Sequence, residues 1–541
     1  MSILRRCKPA TYLLAVGIVL ITLLGFFTVP GHTYLQSDTQ IYIPMMERLW
    51  DPSTYPGDLV AAKPHLSYTI YDEVTAAFRW LTHTSFETAL IVQQLVFRAL
   101  QVFGVYLLAT TLFMSRRIAL ALTALVSMGA IIAGPAVLLI EFEPVPRGFA
   151  TGLTFLAIGL AATGRRVWAS TAASLAFLYH APTTIPFWIC FLPIVFRRRQ
   201  WKALAPLASA VFIISVASLM QSGVVEHQHF WMRLDPELER IQRLRTAYNW
   251  VSNWPATLLL QYTGLWLLSL LAYWRVRPKC GRVFLLGLPL IGMLSVPVSY
   301  LLLEHMKWAL VSQVQPARAL LFVTAMALIL SAAASFKAVE RGRMVEAALW
   351  LFPVFAIPMK NWTVWPDALH WLLAAALAIA ISLLAAYRPA VPLGFAIAAC
   401  YFVMPVLKPR PIETSDLTQL VEFARNHTSR NAMFLFADVG HGLQPGVFRA
   451  RALRSVYVDW KAGGQVNYYR SLADDWWRRW TEVNALQYTP QQFPGIDYLV
   501  LTSPHRALGH ESVFHNNTYT VYHLKYGTVE SLPSASRERP G

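Results

Sequence analysis

Residues 118–147 read IALALTALVSMGAIIAGPAVLLIEFEPVPR. The part from 118 to 140 carries no charge and has the length that crosses a bilayer, about 17–25 residues. Glu141, Glu143, Pro144, Pro146 and Arg147 then follow within seven positions. Taken as a span with an acidic exit, the stretch makes the chain a membrane protein. The acids are then either an ordinary water-facing boundary or half of a reaction centre. Pro144 biases Glu143 toward an extended conformation. Residues i and i+2 of an extended segment point the same way, so Glu141 and Glu143 are expected to face one pocket. Two such carboxylates can hold a divalent cation, Mg2+ or Mn2+, or share acid and base work. Arg147 either neutralises one of them or binds a phosphate.

The rest of the chain repeats the apolar pattern. Of 541 residues, 56% are hydrophobic and 14% charged, against about 25% charged in soluble domains. Spans are expected near 11–29, 88–114, 118–140, 148–163, 167–181, 183–196, 202–220, 256–273, 283–303, 319–336, 345–359, 368–387 and 391–407, about thirteen in all. The expected fold is therefore an α-helical polytopic membrane protein. The net charge of +17 does not imply nucleic acid. It sits in short turns such as Arg116–Arg117, Arg165–Arg166 and Arg197–Arg199, as the positive-inside rule expects. That rule places the N-terminus in the cytoplasm of an inner (plasma) membrane protein and the C-terminus outside. The run from Tyr12 to Val29 lacks a small-residue cleavage site and is read as a retained span. Cys7, Cys190, Cys280 and Cys400 fall in cytoplasmic turns or spans, so no structural disulfide is expected.

This divides the chain into a membrane part, 1–407, with external loops at 30–87, 141–147 and 221–255; an external soluble α/β domain, 408–525; and a disordered tail, 526–541. In the last part SDLTQLVEFARNH reads as a capped helix. AMFLFAD, SVYVDW, DYLVLTS and NTYTVYHLKY read as strands, and DDWWRRW as a helix covering the sheet. In the 221–255 loop, Asp235 and Pro236 open a helix whose stripe of Leu238, Ile241, Leu244 and Tyr248 suits a membrane surface.

Other residues carry possible chemistry. Asp38, in YLQSDTQIYIP, is an acid amid apolar and aromatic neighbours beside the first span; it is either a reactive group or a helix cap. Arg98 lies inside a span, where ionisable groups face a polar interior; it partners a buried acid or contacts a ligand. Lys307 and Arg318 flank a loop and either receive an anionic head group or snorkel to the interface. His180 sits at a turn between two short spans and either touches substrate or caps the turn. His227 and His229 make a weak H-x-H pair. Asp459, Trp460 and Lys461 follow a strand end, a common place for ligand contacts.

In layout the chain resembles the GT-C superfamily of membrane glycosyltransferases, which includes the oligosaccharyltransferase catalytic subunit, protein mannosyltransferases and the lipid A aminoarabinose transferase. The match lies in the many spans, an early acid in a long first external loop, an acidic pair two spans later, and a terminal soluble domain. The resemblance implies that Asp38, Glu141 and Glu143 meet at the membrane face as catalytic residues, with or without a metal. It implies a donor sugar carried on polyprenyl phosphate, an acceptor that is a lipid, a glycan or a protein, and an inverting displacement. Arg147, Arg98, His180, Lys307, Arg318 and Asp459 are the expected substrate contacts. The SDTQ loop holds one acid where many members have two, and VDWK is not the oligosaccharyltransferase acceptor motif. Two other functions fit the same layout: a transporter or flippase of a lipid-linked saccharide, and a non-catalytic membrane protein whose external domain binds partners.

Overall fold

The computed structural model describes residues 9–62, 68–112, 115–220, 231–362, 367–387, 390–403, 412–484, 495–502 and 512–524. Cys7, His227, His229 and the 526–541 tail lie outside the described residues.

The chain is a multi-pass helical membrane protein carrying a small sheet near its C-terminal end. Its membrane part comprises α1 (Pro9–Phe27), α2 (Thr39–Trp50), α3 (Tyr71–Thr82), α4 (Phe86–Leu112), α5 (Arg116–Val126), α6 (Pro146–Ala162), α7 (Arg166–Arg197), α8 (Ala205–Met220), α9 (Pro236–Arg245), α10 (Ala256–Val276), α11 (Arg282–Ser299), α12 (Ala309–Val314), α13 (Leu320–Glu340), α14 (Met344–Trp362), α15 (Asp367–Ala386) and α16 (Ala390–Val403). Among the described residues, six helical segments are long and apolar enough to cross a membrane, and four shorter apolar helices accompany them. Leu13, Leu20, Phe27, Trp274, Leu349, Leu372 and Phe395 are exposed on the outside, as a lipid-facing belt requires. Helix α13 is apolar on every side and buried from Leu320 to Phe336. It is the pillar of the bundle.

Small residues set the closest helix contact. Gly104 of α4 faces Gly159 and Phe155 of α6, and Gly152 faces the Phe97 carbonyl; a Cβ at any of the three would collide with backbone. Without a hydrophobic driving force between helices in lipid, such close backbone approach is what holds a pair together.

One expectation about spans is corrected. The 118–140 run is not one span. Helix α5 ends at Val126, and the chain turns back as a hairpin, β1 (Ile131–Ile132) against β2 (Val137–Leu138). Gly129, Gly134 and Ala136 all adopt positive φ, at 74°, 85° and 52°, and Pro135 fixes the turn between the last two. The hairpin reads as membrane because it is buried in protein: Ile132 and Leu139 are buried, and Tyr262 donates to the Ala133 carbonyl at 2.6 Å. The runs 167–181 and 183–196 are the two helical halves of α7, divided at His180 (φ −163°, ψ 90°), where the turn between two short spans was expected. Pro182 and Pro186 lack the N–H groups a continuous helix needs. The carbonyls freed at the break are taken by the 30–87 segment, Leu178 by the Ile70 amide at 3.0 Å and Tyr179 by the Thr69 hydroxyl at 2.8 Å.

The C-terminal segment contains α17 (Ser415–His427), β3 (Met433–Phe436), α18 (Gln444–Ala452), β4 (Ser455–Val456), α19 (Arg470–Asn484), β5 (Tyr498–Thr502), β6 (Ser512–His515) and β7 (Tyr519–His523). The sheet order is β4-β3-β5-β7-β6, with the first three parallel and the last two antiparallel to their neighbours. Each strand and helix read from the sequence here has its counterpart. The Thr414 hydroxyl caps α17 by accepting from the Leu417 amide at 3.2 Å.

Helix α9 starts as its sequence predicts, Asp235 accepting from the Glu237 and Leu238 amides at 3.0 Å each. Half of its apolar stripe, expected on the membrane surface, is covered by protein instead, while Leu244 stays exposed. Leu238 and Ile241 are buried in one cluster with Leu472, Trp476 and Trp480 of α19. An apolar stripe does not distinguish lipid from another apolar surface, and here α19 supplies the latter.

Candidate active site

The site forms where the 30–87 segment, the start of α6, the α7 break and the C-terminal segment meet. Glu143 organises its floor. The carboxylate accepts from the amides of Gln36 (2.8 Å), Ser37 (2.6 Å), Asp38 (2.8 Å) and Thr39 (3.4 Å) and from the Thr39 hydroxyl (2.9 Å). The free amides at the start of α2 are ready for an anion. Burial, and then the Asp38 charge, push the Glu143 pKa up. Both oxygens nevertheless face N–H donors, so a proton on either would point at another hydrogen. The ionised form is the one that fits.

Asp38 stands one step from that clamp and faces the open space. Its Oδ2 accepts from the Arg147 guanidinium at 2.6 Å and its Oδ1 from Lys461 Nζ at 3.1 Å. Lys461 also donates to Ser37 Oγ at 2.9 Å. Burial would raise the Asp38 carboxyl, but Lys461 and Arg147 outweigh it and hold the group well below the usual carboxylate range. Arg147, on the first turn of α6, reaches back to Glu141 Oε1 at 2.7 Å, so it bridges two acids. Gly148 lets this happen, because a Cβ there would stand 2.8 Å from the Glu141 side chain.

A cavity of about 650 Å³ opens over Asp38, within the range of ligand pockets. Arg147, Lys461, Arg318, Arg245, His180 and Tyr42 are on its wall, as are apolar Phe177, Ile214 and Leu310. Arg318 has a buried Nε with no hydrogen-bond partner among the described residues. Arg245, at the end of α9, lies over Trp460 with its guanidinium 4.7 Å from the ring. His180, exposed to the cavity by the α7 break, bonds Thr183 Oγ1 at 2.8 Å. The Tyr42 hydroxyl is pushed up by burial and by the Asp38 charge.

The sequence-expected residues therefore separate into two groups. Asp38, Arg147, His180 and Arg318 share the cavity. Glu141 lines a small crevice beside it, with Arg147 and Arg318. Glu143 is 2% exposed and acts through the backbone it clamps; the two glutamates address different partners and do not face one pocket together. Three residues stand elsewhere. Arg98 donates to the carbonyls of Gly25, Gly31 and Glu141, each at 2.9 Å, and ties α1 to the acidic loop. Lys307 pairs with Glu239 at 2.6 Å. Asp459 is buried, pairs with Arg449 at 2.9 Å and accepts from the Ala462 amide at 2.6 Å.

Lys461, Arg245 and Tyr42 were not among the expected contacts. Lys461 had a legible signal, its place just past a strand end. For Arg245 the signal was a basic residue off the apolar stripe of a capped helix, which has many ordinary explanations.

The acids do not fit a divalent cation. Both oxygens of Asp38 are committed to cationic N–H groups, Glu141 to Arg147 and Glu143 to amides. Among the described residues no group of three or more His, Cys, Asp or Glu side chains is placed to hold a metal.

No family model matches the chain, and no curated protein matches it. Among solved structures it is similar to ArnT from Cupriavidus metallidurans in the apo state, with 13% identity over 95% of this chain and 98% of that one and a TM-score of 0.45. It is also similar to ArnT from the same organism bound to undecaprenyl phosphate, with 12% identity, the same coverage and a TM-score of 0.47. At these values the site rests on its own geometry.

Proposed function

We propose that this chain is a membrane glycosyltransferase that moves a sugar from a polyprenyl-phosphate-type donor to a hydroxyl acceptor at the external face of the membrane. One observation carries the reading: a half-buried carboxylate, Asp38, faces a cavity whose wall also holds Arg147, Lys461, Arg318 and Arg245. A phosphate needs cations, an acceptor hydroxyl needs a carboxylate, and an isoprenoid needs apolar wall. Phe177, Ile214 and Leu310 supply the last.

In the reaction the acceptor oxygen attacks the anomeric carbon while the bond from that carbon to the phosphate oxygen breaks. The electron pair leaves on the polyprenyl phosphate, whose charge Arg318 and its neighbours receive. The acceptor proton passes to Asp38. A single displacement of this kind inverts the anomeric centre. While both cations hold it, Asp38 is a poor base, because proton transfer is most effective when the acceptor pKa lies near the working pH. A donor phosphate that draws on Arg147 and Lys461 relieves this and raises the basicity of Asp38 when the sugar is in place.

The test is mass spectrometry of lipid extracts from cells with the wild-type chain, without it, and with Asp38→Asn. Loss of the chain should raise a polyprenyl-phosphate sugar, and Asp38→Asn at equal membrane abundance should raise it equally. Unchanged sugar-lipid levels in all three would overturn the reading. Uptake of a saccharide by proteoliposomes with no bond formed would point to a transporter.

A further inference from the structure

Arg449 lies on α18 in the C-terminal segment and is fully buried. It never reaches the cavity. Its Nε donates to Asp58 Oδ2 at 2.7 Å and its Nη2 lies 2.9 Å from Asp459 Oδ2. Both acids are themselves buried. Each also holds backbone. Asp58 Oδ2 accepts from the Val456 amide of β4 at 2.8 Å, and its Oδ1 from the Val60 amide at 2.8 Å. Asp459 Oδ1 accepts from the Ala462 amide at 2.6 Å, which shapes the turn Lys461–Gln465. That turn carries Lys461 to Asp38. The Tyr55 hydroxyl donates to the Arg449 carbonyl at 3.2 Å, closing the link from the 30–87 segment.

We propose that Arg449 is a positioning residue: through Asp459 it sets the turn that places Lys461 on Asp38, and through Asp58 it ties that turn to the segment bearing Asp38. A buried charged triad is a poor source of net stability, since desolvation offsets attraction. Its use is geometric, because the two carboxylates fix one guanidinium between two parts of the chain. Docking of the C-terminal segment and completion of the charged site are then one event. The meaning of that event for catalysis rests on the transferase reading, but the arrangement itself does not.

The test uses the full chain in lipid nanodiscs and needs no substrate. An amine-reactive acylating reagent is applied at pH 7.5, and the modification rate of each lysine is read by peptide mass spectrometry. In the wild type Lys461 is slow, being 12% exposed and ion-paired. Asp459→Asn keeps the oxygen that Ala462 needs and removes the negative charge that faces Arg449. It should raise Lys461 labelling several-fold, because the displaced amine leaves its ion pair with Asp38 and becomes accessible. Lys307, paired with Glu239, serves as the internal reference and should not change. Arg449→Met is the harsher companion and should act on Lys461 in the same direction. Equal Lys461 labelling in wild type and Asp459→Asn would overturn the proposal, as would a rise at Lys461 and Lys307 alike, which reports general loosening. A selective rise at Lys461 in a chain that transfers no sugar would support the positioning role and count only against the transferase reading.

Discussion

Glu143→Gln is the substitution whose effect the geometry fixes most closely. The carboxylate receives three donors on Oε1 and two on Oε2. A glutamine keeps one oxygen, best placed over the Gln36, Ser37 and Thr39-hydroxyl donors. Its NH2 group then faces the Asp38 and Thr39 amides. Two amides lose a charged acceptor, and hydrogen bonds to charged groups contribute about 1.5–3 kcal/mol each. The Thr39 amide bond is long at 3.4 Å, so the lower end applies and the loss is about 3 kcal/mol in all. That corresponds to roughly a hundredfold rise in local opening, at about 1.4 kcal/mol per factor of ten. Hydrogen exchange read by mass spectrometry on peptides covering residues 36–39 measures it, with α13 peptides as an unaffected reference. Protection at 36–39 that differs from wild type by less than threefold would refute the claim that this carboxylate holds the loop.

Further expectations follow from the same contacts. Asp38 stays ionised across the accessible acid range, because its folded pKa is depressed. Its contribution to stability is present above the ordinary carboxylate pKa and is lost only as pH falls through the lower folded value. Lys461→Met removes one of the two cations and should move an acid limb of kcat/KM upward into the measurable range, whereas the wild-type profile shows none from Asp38. Arg98→Leu removes a charged donor from three carbonyls, of which Glu141 keeps Gln94 and Gly25 keeps the Gly31 amide; membrane abundance should fall several-fold, with KM for the donor unchanged in the protein that remains. Gly152→Ala drives a Cβ into the Phe97 carbonyl. Overpacking of this kind costs about 1–3 kcal/mol and should lower the thermal midpoint in detergent without altering the pH profile.

The sequence carried the membrane class and the C-terminal strands well, because both depend on local pattern: long apolar runs in one case, short β-rich runs between polar turns in the other. It failed where one pattern has two physical origins. The 118–140 run is apolar because a hairpin is buried inside the bundle, and nothing in the letters separates that from burial in lipid except Gly129, Gly134 and Pro135. The Leu238 and Ile241 part of the α9 stripe failed for the same reason, with α19 in place of the bilayer. At the site, Asp38 and Arg147 were legible as ions where ions are expensive. Their pairing was not legible, because it joins positions 109 residues apart. The shared direction inferred for Glu141 and Glu143 failed because each carboxylate found a different set of donors. Arg449 was not legible at all: in sequence it is one basic residue in a short helix.

The clamp on residues 36–39 has a consequence for how such a site changes over evolutionary time. Glu143 grips peptide amides, which every residue except proline possesses, and only the Thr39 hydroxyl adds a side chain to the contact. Position 36 is therefore free to drift, and position 37 answers to Lys461 and Asp38. The lettering around Asp38 can be rewritten while the loop keeps its shape. Descent in this part of the chain is recorded in the acid that does the holding, more faithfully than in the segment that is held.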